Sequence, residues 1–203
     1  MHYGPVLGRP SNGTEAGIKR ITQSDVREFF ESHYHAGESI MAIAGNVDAT
    51  LAYQWVEDSF GQWHSKPVTD QEAASGVGGY EHIHSDSSQT HIGFAYRTIP
   101  YGHPDYFRMR AGIGILSDGM SSRLFDRVRE QQGLCYTVTA SCHSLKQDAG
   151  VFGYAGTTPE RAQQTLDVTL REISHLVDDL NEAELRRWQT RIQSLLIMEQ
   201  ESS

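Results

Sequence analysis

The chain has 203 residues, of which 38% are hydrophobic and 21% charged, and its formal net charge at pH 7 is -9. This composition is ordinary for a globular protein of one or two domains and excludes a disordered chain. The acidic total argues against a nonspecific nucleic-acid binder, because a surface that follows phosphates is normally basic. No apolar run approaches the roughly 20 residues that a membrane-spanning helix needs. We therefore expect neither a nucleic-acid partner nor a membrane partner.

The first 64 residues predict an irregular segment followed by helix, strand and helix. Glycines and prolines are frequent before residue 20, which favours irregular structure there. Apolar residues at helical spacing, preceded by a cap-like start at Thr22, predict a helix from about Ser24 to His33. The apolar run Ser39–Ala44 predicts a short strand, and Asp48 is placed to cap a second helix.

The stretch from residue 65 to residue 79 differs from what precedes it. It is small and polar, with one proline and three glycines, which is typical of a linker. We therefore place a domain boundary there, which separates residues 1–64 from residues 80–203.

Residues 80–203 predict alternating strands and helices, including one hairpin. The predicted strands are Tyr80–His84, Thr90–Thr98, Leu134–Ser144 and Ala149–Thr157, and the predicted helices are Pro104–Leu116, Ser121–Gln131, one starting at Thr158 and Pro159, and one starting at Asn181 with Glu184. Hairpin-type strand pairs mixed with helices favour an α+β fold, in which helices pack on one face of a largely antiparallel sheet.

One long motif carries a family resemblance. Residues Ser117–Val138 read SDGMSSRLFDRVREQQGLCYTV, which resembles the non-metal half of the pitrilysin/insulinase zinc metallopeptidases. Five further segments resemble parts of the same family in the same order: Tyr3–Ile18, Ile40–Asp48, His91–Phe94, Ala149–Pro159 and Asn181–Leu185. The resemblance therefore covers nearly the whole chain.

The resemblance implies a fragment that spans two domains of such a peptidase. Residues 1–64 are similar to the back portion of the metal-binding domain, residues 65–79 to a linker, and residues 80–203 to the front portion of the inactive domain. Two arrangements stay open at this point. The two portions pack as one domain within a chain, or they exchange between two chains as a homodimer.

The zinc chemistry of this family has no counterpart in the chain. A zinc peptidase needs three protein ligands and a carboxylate that activates the bound water. The chain has neither H-x-x-E-H nor H-E-x-x-H, and the resemblance places those ligands upstream of Tyr3. We therefore expect zinc in the parent protein, none in this fragment, and no hydrolysis by the fragment alone. The metal-binding domain, on the same chain or on a partner subunit, is an expected partner.

Histidine and cysteine residues offer weaker alternatives. His82 and His84 lie on one face of a predicted strand and could hold a metal, but they lack a third ligand, as do His33 and His35. Structural or surface roles are favoured for both pairs. Cys135 and Cys142 lie seven positions apart on one predicted strand, so they point to opposite faces and we predict no disulfide between them. Cys135 has no basic neighbour arranged to activate it, so we predict no catalytic thiol.

Arg129 and Tyr136 are the main candidates for substrate binding. One lies near the end of a predicted helix and the other just inside the next strand, with Gly133 turning the chain between them. A guanidinium and a phenol that converge there could hydrogen-bond a substrate carbonyl and the oxyanion formed on attack. The family resemblance implies that both face the zinc site across a closed chamber. The alternative is that Arg129 pairs with Glu130 or Asp126 and that Tyr136 packs in a sheet.

The loop before the predicted helix supplies two further candidates. Gly119 permits unusual backbone angles, and Ser121 could cap the following helix. The resemblance implies that this loop lies near the bound peptide. The family resemblance thus implies the substrate-binding, non-catalytic portion of a zinc metalloendopeptidase, whose substrate would be an extended peptide. The alternative is a structural or assembly subunit of the same fold with no proteolytic role.

Overall fold

The computed structural model describes residues 3–66 and 76–201. The chain divides into two compact units. Met1–Gly8 and Ala73–Met198 form the first, here called the sheet unit because it contains the strands. Arg9–Glu72 and Glu199–Ser203 form the second, here called the helical unit.

Within the described residues, the chain forms seven α-helices and three strands, together with one π-helix and two short 3₁₀ helices. In chain order they are α1 (Gly4–Leu7), α2 (Glu15–Arg20), α3 (Gln23–His33), a 3₁₀ helix (Ala36–Glu38), α4 (Ala49–Phe60), β1 (Thr90–Arg97), α5 (Tyr106–Ser117), the π-helix (Leu124–Glu130), β2 (Thr137–Ser144), β3 (Ala149–Thr157), a 3₁₀ helix (Pro159–Arg161), α6 (Ala162–Asp179) and α7 (Glu182–Glu201).

The two main helices of the helical unit begin where their capping residues predict. The Asp25 N–H donates to Thr22 Oγ1 at 3.3 Å, and the Thr22 N–H donates to Asp25 Oδ2 at 2.7 Å, which forms a reciprocal capping box at the start of α3. At the start of α4, the Leu51 N–H donates to the Asp48 carboxylate at 3.0 Å. Both predicted helices are confirmed.

The helical unit leaves most of its apolar side chains exposed. Among its described residues, only Ala52 is buried, whereas Phe29, Phe30 and Trp55 are 56%, 57% and 60% exposed. The strand predicted at Ser39–Ala44 is wrong, since this segment has no regular structure and Ile40 is 95% exposed. An apolar run forms a strand only when another strand supplies hydrogen bonds at its edge. The irregular structure predicted before residue 20 is also wrong in part, because α1 and α2 form there.

The sheet unit contains an antiparallel sheet with the strand order β1-β3-β2. Alternate side chains of β2 and β3 point to one face, where Val138, Ala140, Val151 and Ala155 are buried. On the same face, the Phe94 ring lies over Gly153, where a Cβ would come within 1.8 Å of Phe94 Cζ. The strand residues meet four helical residues and Leu134, from the segment before β2, in one core; the helical residues are Leu116, Leu124, Val128 and Val168. The predicted α+β fold with helices on one face of an antiparallel sheet is confirmed.

Two details of the sheet unit differ from the sequence expectation. The strand predicted at Tyr80–His84 is wrong, because these residues are irregular and exposed and pair with no strand of the described chain. The helix predicted at Ser121–Gln131 exists, but as a π-helix from Leu124, in which the Gln131 N–H donates to the carbonyl of Asp126 at 2.8 Å.

None of the helices in the described part of the chain has both the length and the apolar character that crossing a bilayer requires.

Candidate functional site

The loop that joins α5 to the π-helix is tied to the sheet at one end and tightly turned at its centre. Ser117 Oγ accepts the N–H of Ala140 in β2 at 2.6 Å. Gly119 has φ +92°, a conformation that favours glycine, and its carbonyl accepts the Ser122 hydroxyl at 2.7 Å. The unusual backbone predicted for Gly119 is therefore confirmed. The cap predicted for Ser121 is wrong, because this side chain is exposed and the π-helix begins without a side-chain cap.

A buried ion-pair cluster fixes the π-helix behind this loop. The Arg123 side chain is 2% exposed, and its Nε and Nη2 donate to the two oxygens of Glu184 at 2.7 Å each. Arg123 Nη2 also donates to the backbone carbonyl of Asp179 at 3.0 Å, and Nη1 pairs with the Asp179 carboxylate. The hydrogen bonds from Arg123 lower the pKa of Glu184 and of Asp179. The carboxylates in turn raise the pKa of Arg123, although burial opposes this shift.

Arg127 extends the same cluster by one turn of the π-helix. Its Nη1 lies 2.7 Å from Glu172 Oε2 and 3.5 Å from Asp179 Oδ2. Arg123, Arg127, Glu172, Asp179 and Glu184 are called the arginine–carboxylate cluster below. The cluster joins the π-helix to α6 and to the first turn of α7, so it holds the loop containing Gly119 and the segment leading to Tyr136 on one rigid support.

Sequence reasoning missed this cluster. Arg123 lies between the buried Ser122 and the fully buried Leu124, and the sequence spacing predicts only a helix-cap role for Glu184. The cap is present in the structure. The Asn181 N–H donates to Glu184 Oε2 at 3.1 Å, and the Glu184 N–H donates to Asn181 Oδ1 at 3.1 Å. Local spacing carries no signal for this cluster, because the residues three and four positions after Arg123 are the charged Asp126 and Arg127 rather than an apolar stripe.

Arg129 and Tyr136 lie on either side of the turn at Gly133, as predicted. The Gly133 N–H donates to the Arg129 carbonyl at 3.0 Å, and Gly133 has φ +58°. The Tyr136 N–H donates to the carbonyl of Gly156, which fixes its backbone to β3, while its side chain is 62% exposed.

The Arg129 guanidinium lies over the Phe125 ring, 4.6 Å from the ring centroid, and its Nε is 3.6 Å from Glu130 Oε1. Its side chain is 42% exposed. Burial raises the pKa of the Cys135 thiol, and the positive charge of Arg129 offsets part of this rise. No hydrogen bond joins Arg129 to Tyr136 among the described residues. The contact of Arg129 with Glu130 is the pairing that the alternative interpretation predicts, whereas Tyr136 is exposed rather than packed in the sheet.

The histidine pairs and the cysteines add no metal centre within the described chain. His84 Nε2 lies 3.6 Å from Asp86 Oδ1, with both side chains exposed, and His33 stacks on Phe29 at 4.1 Å between ring centroids. In residues 3–66 and 76–201, no group of three or more histidine, cysteine, aspartate or glutamate side chains could hold a metal ion. Both cysteines are free thiols.

A cleft of about 530 Å³ opens between the Gly119 loop and the first three turns of α7. Its walls include Gly119 and Ser121 from the loop, with Trp188 and Arg191 from the helix. The cleft thus brings together the two loop residues that the sequence predicted for substrate binding. Arg129 and Tyr136 are not among the residues that line it.

Residues 20–192 match the family model described as the peptidase M16 inactive domain. The chain belongs to the peptidase M16 family, and the family predicted from the motif resemblance is confirmed.

Individual relatives agree with this assignment. The chain is 32% identical, over 197 residues, to an uncharacterized zinc protease of Rickettsia felis; the match covers 96% of this chain and 48% of that protein. Its fold is similar to the crystal structure of a peptidase M16 inactive domain from Pseudomonas fluorescens, with a TM-score of 0.86 and 23% identity, covering 95% of this chain and 48% of that chain. It is also similar to a chain of complex III2 from Candida albicans, with a TM-score of 0.77 and 18% identity, covering 97% and 49%. The chain spans about half the length of the curated relatives it matches.

Proposed function

We propose that this chain is the non-catalytic, peptide-binding portion of a zinc metalloendopeptidase. The observation that carries the proposal is the placement of Arg129 and Tyr136: both are exposed, both flank one glycine turn, and both are anchored through their backbones to rigid elements. A rigid pair of donors is what stabilisation of a developing oxyanion requires.

In this proposal the chain's own residues act on the substrate as hydrogen-bond donors. The Arg129 guanidinium and the Tyr136 hydroxyl hydrogen-bond the carbonyl oxygen of the scissile peptide bond and the negative charge that forms there when the bond is attacked. The residues described here do not fit a zinc site. We propose that zinc, and the carboxylate that activates its water, belong to a metal-binding domain on the same polypeptide or on a partner subunit.

The domain organisation proposed from the sequence is part of this function. Residues 1–64 would complete the metal-binding domain, residues 65–79 would link it to residues 80–203, and the latter would form the front portion of the inactive domain. The exposed aromatic side chains Phe29, Phe30 and Trp55 support this proposal, because large apolar side chains exposed together often mark an interaction surface. The metal-binding domain or a second copy of this chain would cover them.

A second candidate is a structural or assembly subunit. The similarity to a chain of complex III2 motivates it, since this fold also occurs within that assembly. In such a role, Arg129 and Tyr136 would contribute nothing to chemistry, and their substitution would leave every activity of the parent protein unchanged.

Kinetics of the parent protein test the proposal. We expect Arg129→Gln and Tyr136→Phe each to lower kcat/KM for a quenched fluorescent peptide by about 10²- to 10³-fold, the usual loss for one oxyanion donor. Arg171→Gln is the matched control, because Arg171 is an exposed arginine on α6 outside both candidate sites. Unchanged kcat/KM in both test variants, with the fold intact by circular dichroism, would favour the assembly role.

A further inference from the structure

The cleft between the Gly119 loop and α7 has an unbalanced charge. Its two carboxylates are already neutralised by arginines: Asp118 lies 3.3 Å from Arg110 Nη1, and Glu184 lies 2.7 Å from Arg123. Of the three arginines that α7 contributes, Arg186 pairs with Glu182 at 2.9 Å, but the other two differ. Arg187 and Arg191 line the cleft, and no carboxylate of the described residues lies within ion-pair distance of either guanidinium.

These two arginines are placed side by side. Arg187 and Arg191 are four positions apart on one helix, so their side chains share a face and repel each other when both are unpaired. The Arg191 guanidinium is held against the loop, where a Cβ on Gly119 would lie 3.3 Å from Arg191 Nη1. Two unpaired arginines on one helix face concentrate positive charge in a chain whose net charge is -9, and a bound anion would reduce their repulsion.

The remaining wall of the cleft is apolar. Met120, which is 78% exposed, lies at the cleft together with Ile115 and the indole of Trp188. The Trp188 Nε1 is a buried donor with no hydrogen-bond partner in the described structure. A volume of about 530 Å³ is within the range of sites that hold small ligands or a few residues of a peptide.

We propose that this cleft binds a carboxylate of an extended peptide, with Arg187 and Arg191 as its donors and the Met120 side as the surface for a neighbouring apolar side chain. A guanidinium matches the planar carboxylate with two parallel hydrogen bonds, which gives orientation as well as charge recognition. The carboxylate comes from an acidic side chain or from the C-terminus of the peptide. The inference rests on the proposed function, because it takes the ligand to be a peptide, but it adds a preference for acidic sequences.

Fluorescence anisotropy of three hexapeptides with a neutral dye tests the inference on the full 203-residue chain. The first contains Leu-Glu and ends in an amide, the second replaces Glu by Gln, and the third is the Gln peptide with a free C-terminal acid. We expect at least one acidic peptide to bind about tenfold or more tightly than the Gln amide, as one charge-assisted contact predicts. The peptide that binds identifies the source of the carboxylate.

Variants then locate the site. Arg187→Gln and Arg191→Gln should each weaken binding of the preferred acidic peptide about tenfold and leave the Gln amide unchanged. Arg171→Gln removes the same charge elsewhere and should change neither. Melting curves followed by circular dichroism verify that each variant is folded.

The results that would contradict the carboxylate site differ from those that would contradict peptide binding altogether. If acidic and neutral peptides bind equally, or if Arg187→Gln and Arg191→Gln bind as the unaltered chain does, the carboxylate site is overturned while peptide binding stands. If none of the three peptides binds at millimolar concentration, the inference is overturned together with peptide binding by this chain. The kinetic test on Arg129 and Tyr136 then decides the proposed function separately.

Discussion

Replacing Glu184 by alanine should destabilise the sheet unit strongly, because it removes the principal partner of a buried arginine. Arg123 is 2% exposed and donates two hydrogen bonds of 2.7 Å to this carboxylate. Loss of one partner from a buried ion pair costs about 3–5 kcal/mol. Arg123 retains the carbonyl and carboxylate of Asp179, so we expect the lower end, about 3 kcal/mol.

Thermal unfolding followed by circular dichroism measures this loss. For a chain of this size, about 3 kcal/mol corresponds to a fall of roughly 6–12 °C in Tm. The matched control is Glu182→Ala, two residues before Glu184 on the same helix. Glu182 pairs with Arg186 at 2.9 Å, but the two side chains are 74% and 73% exposed, so its removal should cost no more than about 1 kcal/mol.

The pH dependence supplies an independent check. The hydrogen bonds from Arg123 lower the pKa of Glu184 in the folded state. A lowered folded-state pKa stabilises the fold above the unfolded pKa, and this stabilisation is lost as the pH falls through the folded value. The Tm difference between the unaltered chain and Glu184→Ala should therefore be largest above about pH 5 and should shrink in acid, below about pH 4. A Tm loss no larger than that of Glu182→Ala, at neutral pH, would refute the reasoning.

Three further predictions concern packing and capping. Gly153→Ala should lower Tm by several degrees, because the added Cβ would lie 1.8 Å from the Phe94 ring. Gly93→Ala should leave Tm nearly unchanged, because a Cβ there would meet no atom within 4 Å. Equal effects of the two variants in a thermal melt would contradict this prediction. Gly119→Ala should destabilise by about 1 kcal/mol in urea unfolding, because φ is +92° there, and a stability equal to the unaltered chain would contradict the strained loop. Thr22→Ala should reduce helical ellipticity in the helical unit and cost about 1 kcal/mol, whereas Thr22→Ser should preserve the cap; equal ellipticity in the two variants would contradict it.

The sequence correctly predicts the helix starts and the hairpin, because these depend on residues only a few positions apart. The starts of α3 and α7 follow from capping residues three positions apart, Thr22 with Asp25 and Asn181 with Glu184. The β2–β3 hairpin follows from alternating apolar residues around a short polar turn. The family motif then supplied the fold, because its ordered segments extend over nearly the whole chain.

Features with distant causes could not be predicted in the same way. The run Ser39–Ala44 has strand composition, but a strand exists only through its neighbour, and none pairs with it in the described residues. Arg123 finds its partners 56 and 61 positions away, a distance that no local spacing encodes. For the candidate site, the family resemblance predicts Arg129 and Tyr136, whereas the cleft wall formed by Arg187 and Arg191 depends on how α7 meets the Gly119 loop.

The affinity of the parent protein for a phosphonate analogue of the tetrahedral intermediate tests the central claim most directly. Such an analogue carries the negative oxygens that Arg129 and Tyr136 are proposed to stabilise, so its binding reports on the transition state rather than on the substrate. The account predicts that Arg129→Gln and Tyr136→Phe weaken analogue binding by the same factor by which they lower kcat/KM, while Arg171→Gln changes neither quantity. Analogue affinity that is unchanged in both variants would contradict the proposal that this chain contributes to peptide hydrolysis.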